Sequence, residues 1–269
     1  MVHPREPLRP RPAAGSALPW YGVAELPPRA GLLTAWFNSP AAPIADCPVL
    51  AGDNPFNGSS VGLAGWSSPR QQLRTALPDL HAVATGPAQC VLPIPGDHHG
   101  LPPELNLAVT AGQAMVVPVG TAWIAIVPTS IGTGDAAVWQ AQRVEALVPT
   151  STSVREARLE LLALTTEAVE LLASAPAPAR DERRLTRQLA DLDRLALPPG
   201  MSGRVAAQAS DSARLLAIVA AAALSADPGT SSGRLLLAAV APLAAAGRRG
   251  LAAALSQPGA GQNGAADGN

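Results

Sequence analysis

Lysine is absent from this chain: all 19 basic residues among its 269 are arginine. That gap excludes a Walker-type phosphate loop, a protein-kinase nucleotide lysine, a Schiff-base lysine and a Ser-x-x-Lys acylation centre, each of which needs an ε-amine. It also weakens arginine as a sign of phosphate recognition, because arginine is the only permanent cation in use. Together with the excess of Ala, Gly and Pro, it is the pattern expected of a high-GC bacterial genome.

Cysteine is scarce. Cys47 and Cys90 are too few for a disulfide framework and lie far from CxxC spacing, so they read as small core hydrophobes, with a distant bridge as the other reading. Aromatics make up 3%, and all of them, from Trp20 to Trp139, fall in the first 139 residues. That asymmetry predicts two differently built halves. An excess of charge is missing too: the net charge is −1, with seven Arg against nine acidic residues in 1–150 and twelve against eleven in 151–269. Neither half has the basic surplus of a nucleic-acid binder. No uncharged apolar run reaches the roughly 20 residues a membrane span needs. The Arg/Pro-rich N-terminus also lacks the apolar segment of a signal peptide. The expectation is a soluble, cytoplasmic protein with no membrane span and no nucleic-acid partner.

The most informative stretch is residues 115–127, MVVPVGTAWIAIV. Gly120-Thr121 suits a two-residue type II′ hairpin turn. Pairing outward sets Val119 against Ala122, Pro118 against Trp123, Val117 against Ile124 and Met115 against Ile126. Pro118 then falls at a pair that exchanges no hydrogen bonds, where its missing N–H costs the hairpin nothing. Both faces are apolar, so both should be covered: one by the N-terminal helices, the other by the C-terminal helices. A buried helix would be equally apolar, but the β-branched residues and the Gly-Thr pair favour strands.

Along the rest of the chain, residues 1–18 read as a disordered Arg/Pro-rich arm. Short strands are expected near 21–25, 32–37 and 43–50, then a loop over 51–69. Ser68 is expected to cap a helix over 70–83, followed by a strand over 88–94, a loop containing GDHHG, and a helix over 104–112. A third strand or a helix is expected over 137–145. After Pro149 the character changes. Ser153-x-x-Glu156 is a capping box opening a helix to about 174, with Leu159, Leu162, Leu164, Val169 and Leu172 as its apolar positions. Helices over 181–197, 203–226 (capped by Ser202) and one to 255 (capped by Ser232 and bent at Pro242) complete an antiparallel, alanine-rich bundle. The fold class predicted is therefore α+β. A small mixed or antiparallel sheet with helices spans 19–149, a helical bundle spans 150–256, and an unstructured tail spans 257–269.

Candidate chemistry is sparse. Asp97-His98-His99 is the one local cluster of ligand-capable side chains. It could hold a divalent metal such as zinc if Asp53, His81 or Glu104 supplied a further ligand. The plainer reading is a solvated loop in which Asp97 shapes a turn. Ser60 sits in a GxSxG match followed by Asp97 and a histidine, the chain order of a serine hydrolase. However, no strand-to-helix elbow surrounds it, and 229–233 repeats the pattern between two helices. Glycines 58, 62 and 65 do not form GxGxxG. Arg180, Arg183, Arg184 and Arg187 share their helix with Asp181, Glu182, Asp191 and Asp193, which makes a salt-bridged face. Trp20, Trp36, Trp66 and Trp139 read as packing residues rather than a pocket lining. No cofactor is expected. The function expected is a non-catalytic interaction or accessory protein, binding a protein partner or itself through its alanine-rich helices. The alternative is a metal-dependent or serine hydrolase centred on the GDHHG loop.

Overall fold

The computed structural model describes residues 26–52, 54–63, 66, 71–130, 137–145, 147, 152–172, 182–192 and 196–259. The arm, the expected strand at 21–25, Trp20, Ser68, Asp53 and residues 260–269 of the tail lie outside them.

The hairpin forms with the expected register. β4 (Ala114–Val119) and β5 (Ala122–Ser130) pair Met115 with Ile126, Val117 with Ile124, Pro118 with Trp123 and Val119 with Ala122. Gly120 takes φ 60° whereas Thr121 does not turn positive, the signature of a II′ rather than a I′ turn. β6 (Ala137–Val144) adds to β5 antiparallel, as strand rather than helix. The sheet has six strands in the order β2-β1-β6-β5-β4-β3, with β1 (Pro55–Asn57), β2 (Gln71–Gln72) and β3 (Gln89–Val91). Among the described strands only the β1–β6 pair is parallel. The α+β class stands.

One expected strand is a helix. Residues 32–37 belong to α1 (Arg29–Phe37), and every residue from Ala30 to Phe37 is buried. The helix lies between the sheet and the last helix of the chain, against β3, β4 and β5 on one side and α7 (Ser231–Leu255) on the other. A helix buried all round carries no 3.6-residue alternation, so its sequence reads like a short apolar strand. The strand expected at 43–50 is instead two 3₁₀ turns, Ile44–Asp46 and Pro48–Leu50, where prolines preset the turn φ. The helix expected from residue 70 starts later, as α2 (Leu73–Val83), because Gln71 and Gln72 pair with β1. α3 (Asn106–Ala111) forms within the expected span.

Both hairpin faces are covered, but not both as expected. Met115, Val117, Ile124 and Ile126 join Trp139, Leu33 and Phe37 of α1, and Leu73, Leu77 and Leu80 of α2. The opposite face (Val116, Ala125, Val127) is covered by Leu101, Leu105 and Ala108 of α3, not by the C-terminal helices. Those helices reach the sheet at its β3 edge. There Cys90 and Leu92, with Ala35 of α1, share a core with Ala209, Ala213, Leu216, Leu251 and Leu255.

The capping box opens α4 (Val154–Leu172) as expected: Ser153 Oγ accepts from Glu156 N at 3.2 Å, and Ser153 N donates back to Glu156 Oε2 at 3.0 Å. α5 (Glu182–Leu192) ends short of the expected 197, and Trp36 Nε1 donates to Ala196 O at 3.0 Å beyond it. Ser202 caps α6 (Gly203–Ser225). α7 is capped by Thr230, whose Oγ1 accepts from Gly233 N at 3.0 Å, and not by Ser232. α7 packs on α6 and on α4, and α5 packs on α6. By length and composition alone, α6 and α7 could each cross a bilayer, but 61% of the apolar window of α7 and 39% of that of α6 is buried inside this fold.

Candidate functional site

The GDHHG loop is built by its turns. Ile94 and Asp97 exchange backbone hydrogen bonds at 2.9 Å across Pro95-Gly96, with Gly96 at φ 88°, a type II arrangement. Asp97 Oδ1 then accepts from His99 N at 3.3 Å, so Asp97 does shape a turn. That turn holds His99 at φ 51°, a left-handed conformation uncommon outside glycine. The loop is not simply solvated: the His99 side chain is only 7% exposed, and its Nε2 lies 3.4 Å from Asp97 Oδ2.

The partner missing from the sequence reading is Arg248. Its Nη2 donates to Asp97 Oδ2 at 3.3 Å across 151 positions of chain, and its side chain is 2% exposed. Arg248 Nε and Nη1 are enclosed, and no acceptor among the described residues reaches them. The next residue, Arg249, forks onto Glu160 of α4 through Nε (3.1 Å to Oε2) and Nη2. A sequence signal did exist. From Ser231 to Leu255, α7 contains no Asp or Glu, so twin arginines in a largely buried helix had to find their acids elsewhere.

Charges here are strongly coupled. Burial pushes the His99 pKa below its ordinary value, and Arg248 and Arg249 add to that against the opposing pull of Asp97. Burial acts to raise the Asp97 pKa, but the charge and backbone N–H of His99, together with Arg248, outweigh it and hold the carboxyl below its usual range. Burial also lowers the Arg248 pKa, opposed by Asp97. With its pKa depressed, His99 contributes stability above its ordinary 6.5 that is lost as pH falls towards its folded-state value, because the unfolded chain takes up a proton the folded one refuses. Asp97 acts in the same direction at more acid pH. The expected slope from His99 is at most about 1.4 kcal/mol per pH unit. His99→Asn keeps a residue tolerant of positive φ. It should flatten the dependence of Tm between about pH 7 and about pH 5, and an unchanged slope would remove His99 from the linkage.

The other candidates are dispersed. Ser60 follows β1, and its Oγ donates to Ala141 O of β6 at 3.1 Å. Asp97 and His99 follow β3 at the opposite sheet edge, four strand spacings or roughly 19 Å away laterally. The structure therefore does not assemble Ser60 with Asp97 and a histidine. His81 packs on Phe37, and Glu104 is exposed in a turn. Among the described residues no three His, Cys, Asp or Glu side chains group to hold a metal. Cys47 and Cys90 are unpaired, buried thiols. Burial pushes Cys47 up to about 11 and Cys90 further still, out of the nucleophilic range. Trp66 packs edge-on to Phe56 at 4.7 Å, and Trp139 Nε1 donates to Asn54 Oδ1 at 3.1 Å, so both are core residues. Arg180, Asp181 and Asp193 lie outside the described residues.

Two further features among the described residues bear on function. A cavity of about 160 Å³ opens beside His99, lined also by Gln89, Cys90, Thr152, Arg249 and Gln257. The second is the outer face of α4. Ala157, Leu161, Leu164 and Ala168 turn towards the protein, whereas Leu159 (58% exposed), Leu162 (58%) and Val169 (63%) form a stripe on the opposite side.

The fold defines an α+β unit with appended helices, joined along a seam of buried His99 and Arg248 and half-buried Asp97. Residues 32–157, just under half of the chain, are similar to the family described as Rv1486c-like protein, N-terminal domain. That stretch runs from within α1 to the first turn of α4, so it holds the sheet and the GDHHG loop but not α5, α6 or α7. No curated protein and no solved structure matches the chain.

Proposed function

We propose that this is a non-catalytic cytoplasmic interaction or accessory protein that self-associates, and that the outer face of α4 is the seam. The observation that carries the reading is the apolar stripe Leu159, Leu162 and Val169, lying on the side of α4 away from its own core. A helix on the surface of a monomer normally spends its second face on charge. A second copy is the occupant the sequence of the helix favours. Glu160 is paired with Arg249, so Arg155 and Arg158 outnumber the remaining Glu156 in the first half of the helix, and Glu167 and Glu170 carry the second half. Two such helices packed antiparallel about a twofold axis set the arginine end of each against the glutamate end of the other, and oppose their dipoles. The last helix is less suited to that role, because much of α7 is already buried against α6, α4 and α1. The paired absence of disulfide and presence of two buried thiols supports the cytoplasmic placement.

Size-exclusion chromatography with light scattering should report a dimer. Leu162→Arg should weaken it about 100-fold or more, since it places a charge in the seam, without lowering the Tm of the monomer. A monomeric wild-type protein at high micromolar concentration would overturn the reading.

A further inference from the structure

The seam between the two halves has more hydrogen-bond donors than acceptors. Arg248 has two enclosed nitrogens, Nε and Nη1, that no acceptor among the described residues reaches. Arg249 gives Glu160 only two of the five N–H groups a guanidinium carries. Arg249, unlike Arg248, lines a cavity together with His99, Thr152, Gln89 and Gln257, whose described lining contains no carboxylate: Asp97 and Glu160 lie outside it, each already committed to an arginine. The floor of the same cavity is apolar, made by Val91, Ala252 and Ala253. Its volume of about 160 Å³ matches a ligand of about six non-hydrogen atoms, since a cavity of roughly 150 Å³ takes up benzene.

We propose that this cavity, between β3, the 97–100 loop and the last turns of α7, binds a small aliphatic monocarboxylate. Arg249 takes the carboxylate through the N–H groups Glu160 does not use, and the alkyl tail lies on Val91, Ala252 and Ala253. A carboxylate is the complement of Arg249, the one arginine of the lining, whose guanidinium donates hydrogen bonds and accepts none. The site sits where the sheet half meets the helical half, the kind of junction at which small-molecule sites gather. The two ion pairs, Arg248 with Asp97 and Arg249 with Glu160, leave the seam close to neutral, so a single negative charge is accommodated and a dianion is not.

The test is calorimetric titration of the full chain with sodium butyrate, with 1-butanol and inorganic phosphate as comparisons. Butyrate should bind saturably with a Kd of roughly 1 mM, the scale set by its few atoms, and 1-butanol at least ten-fold more weakly. Arg249→Gln should weaken butyrate at least ten-fold. Glu160→Gln, which removes the competing charge but keeps the helix contact, should tighten it. Ala253→Leu fills the floor without touching a charge, and should abolish binding while leaving the Tm unchanged or raised. Absence of saturable butyrate binding would overturn the proposal. So would equal binding of 1-butanol, which needs no guanidinium, or butyrate binding that survives Ala253→Leu, which would place it elsewhere. Phosphate binding as tightly as butyrate would show a general anion surface rather than this site.

Discussion

Asp97→Ala is expected to destabilise the fold by about 3 kcal/mol, more than most single surface changes, because it strands a buried charge. Arg248 is 2% exposed, and Asp97 is the one acceptor among the described residues that its guanidinium meets. The opposite truncation is not symmetrical. Arg248→Met leaves Asp97 with a side chain 39% exposed, which water can solvate, and places an apolar side chain among the alanines and leucines of α7. It should cost about 1 kcal/mol or less. The double variant Asp97→Ala/Arg248→Met should recover most of the loss, giving a coupling of about 3 kcal/mol in a double-mutant cycle. Urea unfolding of the four proteins reads this directly. Equal costs for the two single variants would show that the guanidinium is not a stranded charge, and the account of the seam would fall with it.

Gly31→Leu should cost about 3 kcal/mol, at the upper end of the overpacking range. A Cβ at Gly31 would lie 2.6 Å from Leu255 Cδ1 and 3.2 Å from Cys90 Sγ, so α1, β3 and the last turn of α7 meet at this one residue. Rotation of the Leu255 side chain could take up a single methyl there, but a leucine pushes α7 away from the sheet half. Since Ala35, Cys90, Leu92, Leu251 and Leu255 share one core, the sheet and the helices should melt together in the wild-type protein. In Gly31→Leu the transition should broaden or split, as seen by comparing tryptophan fluorescence, whose reporters all lie before residue 140, with far-UV circular dichroism. A wild-type-like single transition in the variant would show that the junction is not where the halves are coupled.

Much of this architecture was legible because local rules agree with the global fold. The hairpin could be registered residue by residue, since a two-residue turn with glycine at its first position fixes every pair beyond it. Ser153 and Glu156 marked the start of α4, and Ser202 that of α6, because a cap is a contact between near neighbours in sequence. The misses have physical reasons of two kinds. α1 was read as a strand because burial on all sides erases its period. In sequence Leu159, Leu162, Leu164, Val169 and Leu172 form one set of apolar positions along α4, yet Leu164 turns inward while Leu159, Leu162 and Val169 are exposed. Hydrophobicity alone does not say which of two apolar faces meets the protein's own core. The Asp97–Arg248 contact spans 151 positions and has no local pattern at all. Its only trace was a pair of arginines in a helix without acids.

The end of α7 also governs the sheet. β3 is an edge strand, and the free N–H of Cys90 on its outer side donates to Ser256 Oγ at 2.8 Å, just past the last turn of the helix. Asn38 fastens the same spot, with its Nδ2 donating to Ala88 O at 2.8 Å and Ser256 O at 3.1 Å. An unguarded edge of this kind is a template for pairing with strands of other chains. The strands are complete by Val144, but the stopper on their edge arrives more than a hundred residues later. A chain that stops short of Ser256 lacks the hydroxyl that guards this edge. Damage to the final helical turn would show itself as association of the sheet half, far from the helix in which the lesion lies.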